Sequence, residues 1–489
     1  MAQSKKQENF AGSVMKYSIA TYLGFVISGA ALVVKGILPA ESYAVPATFM
    51  SYTMSLMNLG MLGLDSSLLR FYREPPAGAT GRTMYQACTR LSMLVMLVVG
   101  AVGSVFFAGP LATAFGLGSA NALLVPLLFL NAALYMLVRY VNVLLRLENN
   151  VAAYTAETLW MQACLNLIYL LPGFFTTNTM VFIAAAVGSF GAVVLFFWLK
   201  ARKAEKAVLG SAPRGLRQYA GIYRAVVPYG IALAPAAILT PLYRSICLSF
   251  LAAESGATAQ GLFEFAYTLA LLVTTIQAGF STYWGPYVYA HYRTEQERIG
   301  RIHDLLNFLI FGFFCVLIMF EDIIFIVFPA KAACLPFFPV MMLSSVFGIL
   351  IEGTVYGNAI ARRPQHDTIG VGVGVLVNLG LCALLVPQYG VGGAAMSLAA
   401  ANGAMFLYRT ITGQYYYRTI PNIPRTVSGF LLAGAATGVG VLFYNNFLIK
   451  FVLVGAILFV YCTLYRPQLN KLWQMARGLV VKYVLKRPG

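Results

Sequence analysis

Long apolar runs, separated by short polar breaks, dominate the pattern of hydrophobic and polar positions. About 20 apolar residues suffice to cross a bilayer as a helix, since roughly 30 Å of hydrocarbon must be covered at 1.5 Å per residue. Fourteen spans are predicted, at residues 14–35, 45–69, 85–108, 121–145, 155–172, 178–199, 225–250, 262–284, 304–328, 335–361, 367–387, 391–411, 427–445 and 447–465. Twelve is the alternative if the pair after Pro424 does not span. The pattern predicts an all-α polytopic membrane protein.

The basic residues predict the orientation of these spans. If the N-terminus lies inside, every Lys and Arg falls at the inner side except Lys35, Lys331, Lys450 and Arg244. Such a bias is typical of cytoplasmic loops. The sequence therefore predicts a multi-pass protein of the inner (cytoplasmic) membrane with both termini in the cytoplasm. The net charge of +18 then reflects topology and contact with anionic inner-leaflet lipids, and nucleic acid is not needed as a partner.

Composition agrees with a membrane protein and points to no cofactor. The chain is 60% hydrophobic and 10% charged, whereas soluble domains are about 25% charged. Its seven cysteines are scattered singly through apolar runs without a CxxC motif, so neither a metal site nor a disulfide framework is predicted. The three histidines, His291, His303 and His366, are interpreted as solvated residues of cytoplasmic loops.

Breaks between spans suggest how the chain is organised. Residues 200–224 form a basic stretch with Gly210, Pro213 and Gly215, which predicts a cytoplasmic linker between an N-terminal lobe, 1–199, and a C-terminal lobe, 225–411. An extra pair of spans follows at 427–465. The basic tail, 466–489, has apolar residues at helical spacing, which predicts an amphipathic helix on the inner leaflet.

An internal repeat supports two lobes. YSIA at 17–20 leads to LPAES at 38–42, and YGIA at 229–232 leads to LAAES at 251–255. In the next spans YTMSL at 52–56 matches YTLAL at 267–271 at almost the same offset. Both copies run in the same direction, so two six-helix lobes in a parallel pseudo-repeat around a central cavity are expected, which is a transporter architecture.

The outer loops offer little for an enzyme of glycan or lipid chemistry. They are short, contain no histidine and pair no carboxylates. A membrane glycosyltransferase, polymerase or ligase would depend on an outer carboxylate, and the candidates are Glu41, Glu254, Glu264, Glu321 and Asp322. The sequence therefore favours a protein that is not an enzyme, with a membrane glycan polymerase or ligase and a structural subunit as alternatives.

Arg244 is the sharpest candidate for a substrate-binding residue. It lies well inside the seventh apolar run, and a charge within the membrane is costly and usually faces a cavity or a partner. Pro228, Pro235 and Pro241 interrupt the same run, so the helix can bend and act as a moving gate. The alternative is that Arg244 snorkels to the outer interface.

Two further basic residues are candidates for contact with substrate. Lys35 ends the first span on the outer side, where a rim salt bridge with Glu41 competes with a role in a site. Arg139 shares one helix face with Arg146 at the inner end of the fourth span, where contact with inner-leaflet phosphates is the alternative to a role in admitting substrate.

Other charged residues near the membrane are candidates for gating or coupling. Asp65 and Arg70 end the second span, and their spacing of five residues does not place them on one helix face, so each is expected to have its own partner. Glu352, in the inner half of the tenth span, could pair with an arginine or carry a coupling proton.

Three segments resemble the bacterial polysaccharide-biosynthesis flippases of the multidrug/oligosaccharidyl-lipid/polysaccharide (MOP) exporter superfamily. GLDSSLLRFYR at 63–73 is similar to the end of their second span. LYRSICLSFLAAESGATAQGLFEFAYTLA at 242–270 resembles their seventh and eighth spans, and FSTYWGPYVY at 280–289 the Trp-x-Pro that commonly follows. Tyr243 stands where the family commonly has Asp, so Arg244 lacks its usual neighbour.

The resemblance implies a flippase that works by alternating access between two lobes. Its cargo would be an oligosaccharide on a polyprenyl diphosphate, moved from the inner to the outer leaflet for surface polysaccharide synthesis. Arg244 would contact phosphate or acidic sugar, while Asp65 and Glu352 would tune gate or coupling. Polysaccharide polymerase and glycosyltransferases are the implied protein partners. The alternative within the superfamily is a cation-coupled exporter of drugs or other small molecules.

Overall fold

The computed structural model describes residues 23–72, 75–76, 79–118, 121–148, 150–208, 219–361, 363, 365–470 and 473. The described residues form α-helices joined by short turns and two 3₁₀ segments, Ile168–Phe174 and Pro329–Cys334. The α-helices are α1 (Leu23–Ile37), α2 (Ala40–Met61), α3 (Leu64–Phe71), α4 (Gly81–Phe106), α5 (Ala108–Ala114), α6 (Leu124–Leu147), α7 (Val151–Asn166), α8 (Thr179–Val208), α9 (Ala220–Glu254), α10 (Gly256–His291), α11 (Gln296–Val327), α12 (Phe338–Thr354), α13 (Tyr356–Ile360), α14 (Gln365–Tyr416), α15 (Ile423–Leu442) and α16 (Phe447–Leu464).

Each predicted span overlaps one of these helices, and the all-α membrane fold is confirmed. The two spans predicted at 367–387 and 391–411 are the two parts of α14, which are separated by a kink at Gly390 with φ 52° and ψ −124°. Glycine tolerates this positive φ because it has no Cβ. Within the described residues, nine helical segments are long and apolar enough to cross a bilayer by length and composition. The number of crossings, fourteen, stays a prediction.

Helix starts are fixed locally by polar side chains. At the start of α4 the Thr80 hydroxyl accepts a hydrogen bond from the backbone N–H of Thr83. The Thr83 hydroxyl accepts one from the backbone N–H of Thr80, which completes a capping box. Asn150, Asn422 and Asn446 cap α7, α15 and α16 in the same manner, each accepting from a backbone N–H three residues on. These side chains satisfy N–H groups that have no partner within the helix.

Most of the buried apolar side chains form two large clusters. One draws on residues 31–226 and includes Phe49, Met136 and Phe190. The other consists of residues 243–465 together with Leu32. Two lobes would produce two such clusters. Helix α9 joins them, because its first part packs in the first cluster and its last part packs in the second. The exact lobe boundaries stay predictions.

The two halves contact each other near the outer end, as the predicted orientation defines it, through α2, α9 and α10. The Tyr43 hydroxyl donates to the Gly261 carbonyl at 2.9 Å. The Gln260 amide donates to the Thr48 hydroxyl at 3.1 Å. The backbones of α2 and α10 lie so close that a Cβ added at Gly261 would stand 1.9 Å from the carbonyl oxygen of Ala40. This is the outer contact.

A second contact joins the halves near the inner end, between α3 and α9. A Cβ added at Gly230 would stand 2.9 Å from the carbonyl oxygen of Leu62. Gly63 has a φ of 69° and faces the Gly230 carbonyl, so glycine serves both conformation and close approach there. The Ser67 hydroxyl donates to the Val226 carbonyl at 2.8 Å. This is the inner contact.

The last two helices pack on α11. Lys450 of α16 is fully buried and pairs with Glu321 at 2.9 Å and with Asp322. At the other end of α11, Asp304 accepts hydrogen bonds from Arg425 at 3.4 Å and from Gln468 at 3.3 Å. Ionic contacts thus link the extra helix pair to the C-terminal half at both ends of α11.

One expectation from the sequence is wrong, and two predicted segments lie partly outside the described residues. Within the predicted linker, 200–224, α8 continues to Val208 and α9 begins at Ala220, while residues 209–218 lie outside the described residues, so the linker stays a prediction. His303 is not a solvated loop residue, since it lies within α11, is 2% exposed and contacts the amide of Asn307. The predicted amphipathic tail also lies largely outside the described residues.

Candidate functional site

A cavity of about 480 Å³ lies between the two halves of the chain. Side chains of α1, α2, α6, α7 and the first 3₁₀ segment line it from the N-terminal half, and those of α9 and α10 line it from the C-terminal half. The charged residues among them are Lys35, Arg139, Arg244 and Glu264. The cavity lies between the outer and the inner contact, where a substrate could be held away from both surfaces.

Glu264 joins Lys35 and Arg244 in one ion cluster in the outer half of the cavity. The Lys35 ammonium donates to Glu264 Oε1 at 2.7 Å. Arg244 donates to both oxygens of the same carboxylate, from Nε to Oε2 at 2.9 Å and from Nη2 to Oε1. The three residues come from α1, α10 and α9, so the cluster crosses between the halves. We call it the Glu264 cluster.

Neighbouring groups hold the Glu264 cluster in place. The Lys35 ammonium also donates to the Thr268 hydroxyl at 2.8 Å, one helical turn from Glu264. The guanidinium of Arg244 stands over the ring of Tyr267, 5.1 Å from its centre. The side chains of Lys35 and Glu264 are 5% and 1% exposed, and that of Arg244 is 17% exposed. Removing one partner from such a pair is costly, because it leaves the other charge buried and unpaired.

Arg139 supplies a third cation to the cavity, from α6. It is eight residues from the inner end of α6. Its Nη2 is 3.9 Å from Asp65 Oδ2, and the two side chains are 37% and 20% exposed. At that distance and exposure Asp65 binds Arg139 weakly. Arg139 is therefore available to an anion in the cavity.

The cavity carries an excess of positive charge. Three basic residues and one carboxylate are among the described residues that line it. Around them lie apolar and aromatic side chains such as Met54, Tyr135 and Tyr169. A guanidinium binds phosphate or carboxylate oxygens in a bidentate manner. Water-poor walls strengthen that attraction, so the arrangement suits an anionic group.

The structure places all three predicted substrate-binding residues in this one cavity. Lys35 does not form the rim salt bridge with Glu41, since Lys35 is buried against Glu264 and Glu41 is exposed. Arg244 does not snorkel outward, because Glu264 holds its guanidinium in the cavity. Arg139 lines the cavity, whereas Arg146 on the same helix is exposed.

The predicted gating residues are more dispersed. Asp65 begins α3 beside the inner contact and has Arg139 as its partner, whereas Arg70 is exposed and contacts the ring of Phe71. Pro235 and Pro241 lie within one continuous α9, where Pro235 is exposed and Pro241 lines the cavity. The backbone of Glu352 lies in α12, and its side chain is outside the described part of the chain.

Glu264 is the residue of the cluster that sequence reasoning missed as a partner. The predicted span begins at residue 262, which places Glu264 at its outer end. There Glu264 is a candidate only as an outer-face carboxylate of an enzyme. In the structure it lies eight residues inside α10. A carboxylate within an apolar run, in a chain whose Lys35 and Arg244 also lie within apolar runs, is the signal that could have identified it.

The fold of this chain matches the solved structure described as "Lipid II flippase MurJ, inward closed conformation". The match covers 93% of this chain and 99% of that chain, with a TM-score of 0.68 and 14% sequence identity. The chain has the fold of MurJ. The match extends over nearly the whole of both chains, and the chain is a multi-pass membrane protein.

Two MATE transporter structures match the fold with lower TM-scores than the MurJ structure. An inward-facing multidrug resistance MATE family transporter of the MOP superfamily has a TM-score of 0.47 at 14% identity, and the match covers 86% of this chain and 98% of that chain. A MATE structure in the bent conformation has a TM-score of 0.49 at 14% identity, with 86% and 96% covered. No family model and no curated protein sequence matches the chain.

Proposed function

We propose that this protein flips a polyprenyl-diphosphate-linked oligosaccharide from the inner to the outer leaflet of the bacterial cytoplasmic membrane, for surface polysaccharide synthesis. One observation carries the proposal: Lys35, Arg139 and Arg244 line a cavity between the two halves that holds one carboxylate among its described residues. The MurJ-like fold supports a flippase, because a protein of that fold is described as a lipid II flippase.

The chemistry of the cavity fits the diphosphate of such a cargo. A diphosphate carries several negative charges, and crossing the membrane core is costly unless cations neutralise them. The planar guanidinium groups of Arg244 and Arg139 can each bind two phosphate oxygens, and the ammonium of Lys35 adds a compact positive charge. The headgroup would pass through the cavity while the prenyl chain stays in lipid. A cationic drug would be repelled by the same residues, which disfavours the alternative of a drug exporter.

Alternating access is the proposed mechanism. The cavity lies between the outer contact of α2 with α10 and the inner contact of α3 with α9. Opening one contact while the other stays closed would expose the cavity to one side at a time. In this scheme Asp65, Arg70 and Glu352 act on the gate or its coupling, and Pro235 and Pro241 allow α9 to bend.

An enzyme is a weaker proposal. Three of the five carboxylates that a polymerase or ligase could use at the outer face are engaged in ion pairs: Glu264 with Lys35 and Arg244, and Glu321 and Asp322 with Lys450. Glu264 is a poor general base, because its pairing with two cations favours the charged form. Polysaccharide polymerase and glycosyltransferases are proposed as partners rather than as activities of this chain.

Reconstitution tests the proposal. The purified protein is placed in proteoliposomes with a labelled polyprenyl-diphosphate oligosaccharide, and the label exposed on the far leaflet is measured over time. We expect protein-dependent exposure of intact cargo. Protein-dependent efflux of a small cation without lipid movement would favour the drug exporter instead. Transfer or lengthening of the sugar chain would show an enzyme.

A further inference from the structure

The carboxylate of Glu264 already occupies the place in which an anionic headgroup would bind. Both of its oxygens accept hydrogen bonds from cavity cations, Oε1 from Lys35 and Arg244 and Oε2 from Arg244. It is the one carboxylate among the described residues that line the cavity. An anion that uses the same donors of Lys35 and Arg244 must therefore displace it.

Glu264 has an advantage over any free anion of equal charge. It is part of the chain, so it meets the two cations at an effective concentration of about millimolar or higher. α10 holds it rigidly, so little side-chain freedom is lost on pairing. A phosphodiester with a single negative charge offers the cations no more charge than Glu264 does. Such an anion competes poorly for this site.

A diphosphate offers more than Glu264 can. It carries at least two negative charges and more acceptor oxygens, and a second phosphate can use Arg139, which Glu264 leaves to a weak contact with Asp65. The cavity, about 480 Å³ in volume, also leaves room for water around a displaced carboxylate.

We propose that Glu264 is a specificity-determining residue: a built-in competitor that excludes the singly charged headgroups of bulk phospholipids from Lys35 and Arg244 and yields to a diphosphate ester. This inference rests on the proposed function, because it concerns how the same cavity selects its cargo. Bulk phospholipids greatly outnumber a lipid-linked precursor in the membrane. A flippase with an open cationic site would otherwise carry them, and specificity of this kind requires an element that acts against the wrong ligand.

Binding of three probes to the full-length protein in nanodiscs tests the inference without requiring transport. The probes are dimethyl phosphate as a singly charged phosphodiester, inorganic pyrophosphate and farnesyl diphosphate, and dissociation constants are measured by calorimetry. Wild type should bind pyrophosphate about tenfold or more tightly than dimethyl phosphate. In Glu264→Gln dimethyl phosphate should bind about tenfold or more tightly than in wild type, because no carboxylate then has to be displaced. Glu41→Gln, which removes an exposed carboxylate, should keep the wild-type dissociation constant for dimethyl phosphate.

The outcomes separate the two proposals. An unchanged dissociation constant for dimethyl phosphate in Glu264→Gln, with pyrophosphate bound by wild type, overturns the role of Glu264 and leaves the proposed function standing. No binding of any probe by wild type overturns both. Tighter binding of farnesyl diphosphate than of pyrophosphate supports a lipid-linked cargo, whereas equal binding indicates a free diphosphate and contradicts the proposed function alone.

A second measurement covers the case in which Glu264→Gln fails to fold. Glu264→Asp keeps the charge but shortens the side chain, so it cannot reach both cations as Glu264 does. Its dissociation constant for dimethyl phosphate should lie between those of wild type and the glutamine variant. In proteoliposomes, movement of fluorescent phosphatidylglycerol should be faster with either folded variant than with wild type, and equal rates would contradict the inference.

Discussion

Substituting Gly261 by alanine should open the outer contact. The added Cβ would lie 1.9 Å from the carbonyl oxygen of Ala40 and 2.4 Å from its carbon. Both atoms belong to the backbone, so no side chain can turn aside. An ordinary contact begins near 3.4 Å, so α2 and α10 must separate by roughly 1.5 Å before the methyl group fits. The hydrogen bond from Tyr43 to the Gly261 carbonyl weakens as the helices separate.

The size of the effect follows from the cost of overpacking. Forcing one methyl group into a closed interface costs about 1–3 kcal/mol. That cost applies where the outer contact is closed and disappears where it is open. The population of the outward-open state should therefore rise by a factor of about 5 to 150.

Pulsed EPR distances measure this shift directly. Spin labels at Glu41 and Thr258, both exposed, report the separation of α2 and α10 at their outer ends. We expect a longer distance component in Gly261→Ala than in wild type. Gly372→Ala in α14 is the matched control, because no atom lies within 4 Å of its added Cβ. A folded Gly261→Ala with the wild-type distance distribution would refute the reasoning.

Three further predictions concern the inner contact, the second 3₁₀ segment (Pro329–Cys334) and the extra helix pair. Gly230→Ala brings a Cβ within 2.9 Å of the Leu62 carbonyl oxygen, so labels on the inner ends of α3 and α9 should move apart. Burial lowers the pKa of the Lys331 amine from 10.5 to about 8. Between these values the unfolded chain binds more protons, so the unfolding temperature should rise from pH 8 to pH 10, and Lys331→Met should reduce that rise. Lys450→Met leaves the buried Glu321 unpaired and should lower stability by about 3–5 kcal/mol in thermal unfolding, with partial recovery in the double variant that adds Glu321→Gln.

Apolar runs predict the helices of this fold well because the bilayer imposes one length on each of them. Even the division of α14 was visible, since Gly390 follows Pro387 between two apolar runs. The end of α8 was predicted less well: a basic composition indicated a linker, yet the helix continues to Val208. Polar composition alone does not end a helix.

The cavity could be predicted only in part. Arg244 is conspicuous because it interrupts an apolar run, and the internal repeat predicts a cavity between two lobes. The predicted pairing of Lys35 with Glu41 is wrong. Glu41 is near in sequence, whereas the actual partner, Glu264, is 229 residues away and meets Lys35 only when the halves pack. His303 was misjudged because the neighbouring Arg301 and Asp304 suggest a loop. Tertiary packing determines such pairs, and they cannot be predicted from the hydrophobic periodicity of the sequence.

Removal of the Arg244 guanidinium should abolish flipping, because the diphosphate then loses a cation of the cavity. Wild type, Arg244→Ala and Arg224→Ala are reconstituted with labelled polyprenyl-diphosphate oligosaccharide at equal protein content, and far-leaflet label is measured. Arg224 is exposed at the start of the same helix and serves as the matched control. We expect transport by wild type and Arg224→Ala, and none by an Arg244→Ala protein that inserts and folds normally. Transport at the wild-type rate by Arg244→Ala would contradict the proposed role of Arg244.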